Sequence, residues 1–189
     1  MNLKSKIVTI ATASILALSV ASGATAQQSA QVTQKITGGQ FTYSLTNGTM
    51  QEIKFDYAND QVRKTTGEMT LSVDDARGTK QGWTVSLAST AFDYDGVAPN
   101  PDSYNIPAGN LTVRPADPTT QAGEAGNVNK MGGGPMNGEV QVIQAQPGYG
   151  SGKYVQKLPV ELSVPPKSPV GTYTATITVS TTAAPGAQG

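Results

Sequence analysis

The chain has 189 residues, of which 37% are hydrophobic, 6% aromatic and only 14% charged, with 21 Gly, 12 Pro, no Cys and no His. Without Cys or His there is no thiol nucleophile, disulfide, Cys/His zinc site or imidazole-based triad. Lys plus Arg equals Asp plus Glu at 13 each, which leaves no basic excess to grip nucleic acid.

The first 26 residues read as a cleaved export signal. Lys4 and Lys6 precede an uncharged run from Ile7 to Val20, and Ala24-Thr25-Ala26 is an A-x-A cleavage signal, so the processed chain is expected to begin at Gln27. The apolar run is short of the roughly 20 residues that span a bilayer, and no second apolar segment follows. No membrane span is therefore expected in the processed chain. The stretch from Thr181 to Gly189 carries neither a hydrophobic tail nor an LPxTG-type sorting signal. Any attachment at a cell surface is then expected to be non-covalent.

After residue 27, apolar side chains alternate with hydroxyls and charges, the period of a half-buried strand. The clear runs are Ile53/Phe55/Tyr57, Met69/Leu71/Val73, Trp83/Val85/Leu87, Leu158/Val160/Leu162/Val164 and Tyr173/Ala175/Ile177/Val179. Weaker ones are Gln31–Thr37, Phe41–Leu45, Leu111–Arg114 and Val140–Gln144. Turn signals separate them at Gly38-Gly39, Asn47-Gly48, Asn59-Asp60, Gly78, Asp95-Gly96, Pro147-Gly148 and Pro165-Pro166. The pattern predicts an all-β antiparallel sandwich or barrel, with about 8–10 short strands in one domain over 27–189. Pro159 predicts that its strand is an edge or is bulged there. Residues 115–138 have almost no apolar side chains and read as a long mobile loop.

Few residues suggest chemistry. Trp83, the only tryptophan, shares a face with Val85 and Leu87 and reads as a core anchor, with stacking on a sugar or partner as the alternative. Asp93, Asp95 and Asp102 offer too few regularly spaced oxygens for a calcium loop. No motif singles out two carboxylates for glycoside hydrolysis. No catalytic residue, metal or cofactor is expected. Tyr94, Tyr104 and Tyr149 sit in turn-rich segments and are candidates for stacking on sugar rings.

Three blocks resemble the WxL family of Gram-positive surface proteins. The first is Leu71-Ser72-Val73-Asp74-Asp75-Ala76-Arg77-Gly78-Thr79-Lys80-Gln81-Gly82-Trp83-Thr84-Val85, similar to the family's strand, D-x-R-G-T turn and Gly-Trp strand. Val85 stands where the Trp-x-Leu motif has Leu. The second is Ile106-Pro107-Ala108-Gly109-Asn110-Leu111-Thr112-Val113. The third runs from Leu162 to Pro185 and resembles the closing pattern Tyr-xxx-Leu-Thr-Trp-x-Leu-xxx-Pro: Tyr173, Thr178 and Pro185 match, while Ile177, Val179 and Thr181 replace Leu, Trp and Leu. The resemblance implies a secreted, non-catalytic all-β domain that attaches non-covalently to the cell wall, to peptidoglycan, and works with other surface proteins. The alternative from the strand pattern is a self-assembling or interaction subunit of an extracellular fibre or surface layer, whose sheet edges pair between chains.

Overall fold

A computed structural model describes residues 31–46, 48–54 and 61–183. The expected leader and expected cleavage site, Phe55 and Tyr57, and Pro185 lie outside the described residues. The chain divides into two units, residues 1–36 and 37–189. In the first, residues 31–36 carry no helix or strand.

The described residues form twelve strands: β1 (Phe41–Leu45), β2 (Arg63–Asp75), β3 (Trp83–Ser89), β4 (Asp93–Asp95), β5 (Leu111–Val113), β6 (Thr119–Gly123), β7 (Val128–Lys130), β8 (Gly134–Pro135), β9 (Val140–Ala145), β10 (Gly152–Val164), β11 (Thr172–Thr174) and β12 (Ile177–Ala183). Two sheets make the sandwich. Sheet A runs β1-β2-β10-β5-β8, with β6 also on β10; sheet B runs β12-β3-β9-β7; β4 and β11 form a separate ribbon. All named pairings are antiparallel. Among the described residues no helix is long and apolar enough to cross a membrane.

The alternation explains the layers. In β2, Met69, Leu71 and Val73 are buried while Thr70, Ser72 and Asp74 face out; β10 pairs with it over thirteen residues, Val73 opposite Tyr154 and Met69 opposite Leu158. From sheet B, Trp83, Val85, Leu87 and Ile143 complete the core. Removing such side chains from water is the main stabilising term.

Several expectations change. Residues 115–138, expected to be a mobile loop, contain β6, β7 and β8, which is why the strand count exceeds ten. The order comes from neighbouring backbone: β6 pairs with β10 and β7 with β9, while Met136 is fully buried and donates its N–H to the Leu111 carbonyl at 2.8 Å. Pro159 lies in a central strand, not at an edge. Its carbonyl accepts Arg114 N–H at 2.9 Å, so its nitrogen faces the same side, in the gap between the β5 and β6 ladders. The missing donor breaks no bond to β2. The run at 173–179 is split, because β11 pairs with β4 and β12 with β3. No strand forms at 31–37 or at Ile53.

Candidate functional site

The first family-like block is a structural device. Asp75 is buried, and its Oδ1 accepts Arg77 N–H and Nε–H at 3.1 and 2.9 Å, while Oδ2 accepts Nη2 at 2.9 Å. This bidentate pairing holds the Arg77 pKa above its ordinary value. The guanidinium also lies 4.8 Å from the centre of the Phe41 ring. The turn delivers Trp83 into the core, where the indole is 1% exposed and donates to the Gly150 carbonyl at 3.1 Å. Phe41 and Tyr154 pack on it, each with ring centres 5.7 Å away. A side chain on Gly150 would put Cβ 2.7 Å from Trp83 Nε1, so only glycine admits the ring. Trp83 is thus the core anchor, and Val85 beside it is fully buried. Neither presents a surface to a ligand.

Two of the three tyrosine candidates form a small aromatic cluster with Tyr173. Tyr94 is opposite Tyr173 in the β4–β11 ribbon, with ring centres 5.1 Å apart, and Tyr104 meets Tyr94 edge-on at 5.8 Å. Tyr94 Oη donates to the Val170 carbonyl at 3.0 Å, and Tyr173 Oη to the Pro169 carbonyl at 2.9 Å. Burial pushes the Tyr173 hydroxyl up. A Cβ on Gly171 would lie 2.3 Å from a Tyr94 ring carbon. The suggestion that Tyr94 stacks on a sugar is therefore corrected: its ring is buried and already covered. Tyr104 is half-buried, and Tyr149, in the turn after β9, is 42% exposed. Tyr43 on β1, 45% exposed, is an aromatic the turn-based reading missed, because it sits inside a weak strand pattern.

The outward faces of the two sheets differ. Across β2 and β10, sheet A presents Lys153 paired with Asp74 at 3.1 Å, Lys157 with Glu68 at 3.0 Å and Lys64 with Glu161 at 2.9 Å. The Lys64 ammonium holds the Glu161 carboxyl below its usual range, first by hydrogen bonding and then by charge. Sheet B presents Thr84, Ser86 and Ala88 from β3, Thr178, Ser180 and Thr182 from β12, Gln141 and Gln144 from β9, and Asn129 from β7. No outward position of these four strands carries a charge. Gln144 Nε2 donates to Thr84 Oγ1 at 3.4 Å, so the hydroxyls and amides share one surface. Thr178 of the closing block belongs to it, whereas Ile177 and Val179 turn inward and pack against the core.

Between β1 and β12 the sandwich is open. A groove of about 510 Å³ is lined by Leu45, Met50, Met69, Phe92, Ile177 and Val179 among others. A second hollow of about 440 Å³ shares Met50 and Phe92 and reaches Tyr173 and Val164.

A buried feature also escaped the sequence. Gln156 is 1% exposed and its Nε2 donates to the carbonyls of Ala116 at 2.8 Å and Val142 at 2.9 Å. It ties β10 to β9 and to the start of the 115–138 segment. The signal was an alternation that begins at Tyr154, hidden by a polar residue at an inward position.

The class is that of an all-β surface-presenting domain: a sealed aromatic core, one self-neutralised face and one uncharged face. A family model described as WxL domain, surface cell wall-binding, matches residues 24–185, and the chain belongs to that family. No curated protein and no solved structure matches the chain.

Proposed function

We propose that this chain is a secreted, non-catalytic protein that holds the wall of a Gram-positive cell non-covalently, with peptidoglycan as its ligand, and that it works beside other surface proteins. The observation that carries the reading is the uncharged outward face of sheet B. Strands lie about 4.8 Å apart and same-face side chains about 6.8 Å apart along each strand. The Ser, Thr, Gln and Asn groups thus form a flat lattice of donors and acceptors suited to an extended polyhydroxyl chain. Each hydrogen bond exchanged with water contributes only about 0.5–1.5 kcal/mol, so such a face acts through many contacts at once. The exposed ring of Tyr149, at the end of β9, adds an aromatic surface of the kind that stacks on sugars.

Charge contributes little in this reading, because the lysines and acids of sheet A are occupied with one another. The test is co-sedimentation of the processed chain with purified sacculi over a salt series. Retention should persist at 1 M salt, where the Debye length is about 3 Å, and should be lost in denaturant. Failure to sediment, or full release at 1 M salt, overturns the reading.

A further inference from the structure

Sheet B ends on a bare strand. Among the described residues β12 pairs with β3 on one side and with no strand on the other. Thr90 N–H donates to the Thr176 carbonyl at 3.0 Å. Even-numbered positions of β12 therefore turn their backbone groups to β3, and Ile177, Val179, Thr181 and Ala183 turn theirs away. An edge of this kind is ordinarily blunted by a charge, a proline or a bulge. The opposite edge of sheet B, β7, carries Lys130, and the edge strand β8 of sheet A is Gly134-Pro135. β12 reads Ile-Thr-Val-Ser-Thr-Thr-Ala, without charge or proline, and keeps an unbroken register with β3.

This edge is complementary to itself. Turned about an axis through Ser180, two copies of β12 run antiparallel with Val179 opposite Thr181 and Ile177 opposite Ala183. All four positions are ones whose backbone groups point away from β3, so every outward amide and carbonyl from 177 to 183 finds a partner. Ser180 meets Ser180 and Thr178 meets Thr182 at the pairs without hydrogen bonds, and no charges oppose one another. A shift by one residue would set the outward groups against groups already bonded to β3. The same rotation turns the open sides of the two sandwiches toward each other. The groove of about 510 Å³ lined by Leu45, Met50, Met69, Ile177 and Val179 then lies against its own counterpart, which removes apolar surface from water. The contact uses residues 177–183 and the groove beside them, and requires nothing of the residues before the domain.

We propose that two copies of this chain join through β12 in a twofold, isologous pairing that makes two four-stranded sheets into one of eight strands. Both bare edges are used up, so the assembly closes at a dimer. The joined sheet carries the uncharged outward face across both copies and lets them hold one polymer together. That consequence rests on the wall-binding reading above, whereas the pairing itself does not.

The chain has no cysteine, so single cysteines report the pairing directly. At the twofold axis the two Ser180 Cα atoms are about 4.5 Å apart, as in any antiparallel pair without hydrogen bonds, a span that a disulfide bridges. The two Thr178 Cα atoms are about 14 Å apart, four residues out of step, and cannot be bridged. On mild oxidation of the processed chain, Ser180→Cys should form a covalent dimer, while Thr178→Cys and Thr182→Cys should each stay monomeric. Mixing the last two should give the dimer, because 178 faces 182. In sedimentation velocity the unmodified chain should pass from monomer to dimer as concentration rises and go no further. Thr181→Pro, which loses an outward N–H and no bond to β3, should move that transition about tenfold higher in concentration. A monomeric chain at all concentrations overturns the inference, as do equal cross-linking at 178 and 180 and species that grow beyond a dimer. Loss of retention on sacculi with the dimer intact overturns the wall-binding reading instead and leaves the pairing standing.

Discussion

Sheets A and B bury equivalent inner faces but present opposite outer ones. In β2 and β10 the outward positions hold Asp74, Glu68, Lys64, Lys153, Lys157 and Glu161, and these pair across the two strands. In β3, β9 and β12 the same positions hold Thr, Ser, Ala and Gln. Period-2 alternation sets which residues face out in both sheets. It does not set what the exposed face is for. Exposed ion pairs contribute about 0.2–1 kcal/mol each, so the ladder on sheet A adds modest stability and neutralises its own charge. The face of sheet B keeps its hydrogen-bonding groups available to a neutral ligand.

The largest expected effect falls on the core that both sheets share. Trp83→Ala should cost about 3–5 kcal/mol, read as a lower denaturant midpoint. Wild-type stability in that variant would mean that the indole does not join the two layers.

Next comes the comparison of the faces. Ser86→Glu with Thr178→Glu places two charges on the uncharged surface and should cut retention on sacculi by about tenfold, the equivalent of about 1.4 kcal/mol. Glu68→Gln on sheet A should leave retention unchanged. Equal losses from both variants would erase the functional distinction between the faces.

Alkaline pH separates the interior from the surface. Burial pushes the Tyr154 hydroxyl above its ordinary value of 10.0, helped by the nearby Glu124 and Asp75 charges. Its Oη donates to the Glu124 carbonyl at 2.8 Å. A raised folded-state pKa means that the folded chain holds the proton more tightly than the unfolded one. That stability is complete below pH about 10 and falls as pH rises through the folded-state value. Tyr154→Phe should flatten the alkaline limb of the stability curve. An unchanged slope would assign it to other groups.

The smallest effect belongs to Glu161. Its depressed pKa gives a contribution that is present above the ordinary carboxylate value of 4.5 and lost as pH falls through the lower folded-state value. Glu161→Gln should slightly reduce the acid slope of stability, and 1 M salt should hide the difference.

Much of the fold was legible because β2, β3 and β10 carry regular alternation, and Trp83 sits in step with Val85 and Leu87. What stayed hidden depended on partners distant in the chain. The 115–138 segment is ordered by the backbone of β9 and β10 and by Met136 alone, so its own composition gave no sign of strands. Pro159 is tolerated in a central strand only because one ladder is interrupted there. Tyr94 lies in a segment that reads as a turn, yet β11, nearly eighty residues later, covers it. The candidate face shows the same limit. Each strand advertises its Ser and Thr residues, but the order β12-β3-β9 that merges them into one surface joins strands that are not consecutive in the chain.

The most direct test of the central claim is to map amide chemical-shift changes when soluble peptidoglycan fragments are added to the processed chain. The changes should centre on Thr84, Ser86, Gln144, Thr178 and Ser180 and survive high salt. Changes centred on Lys64, Lys153 and Lys157, and abolished by salt, would contradict the assignment of wall binding to sheet B.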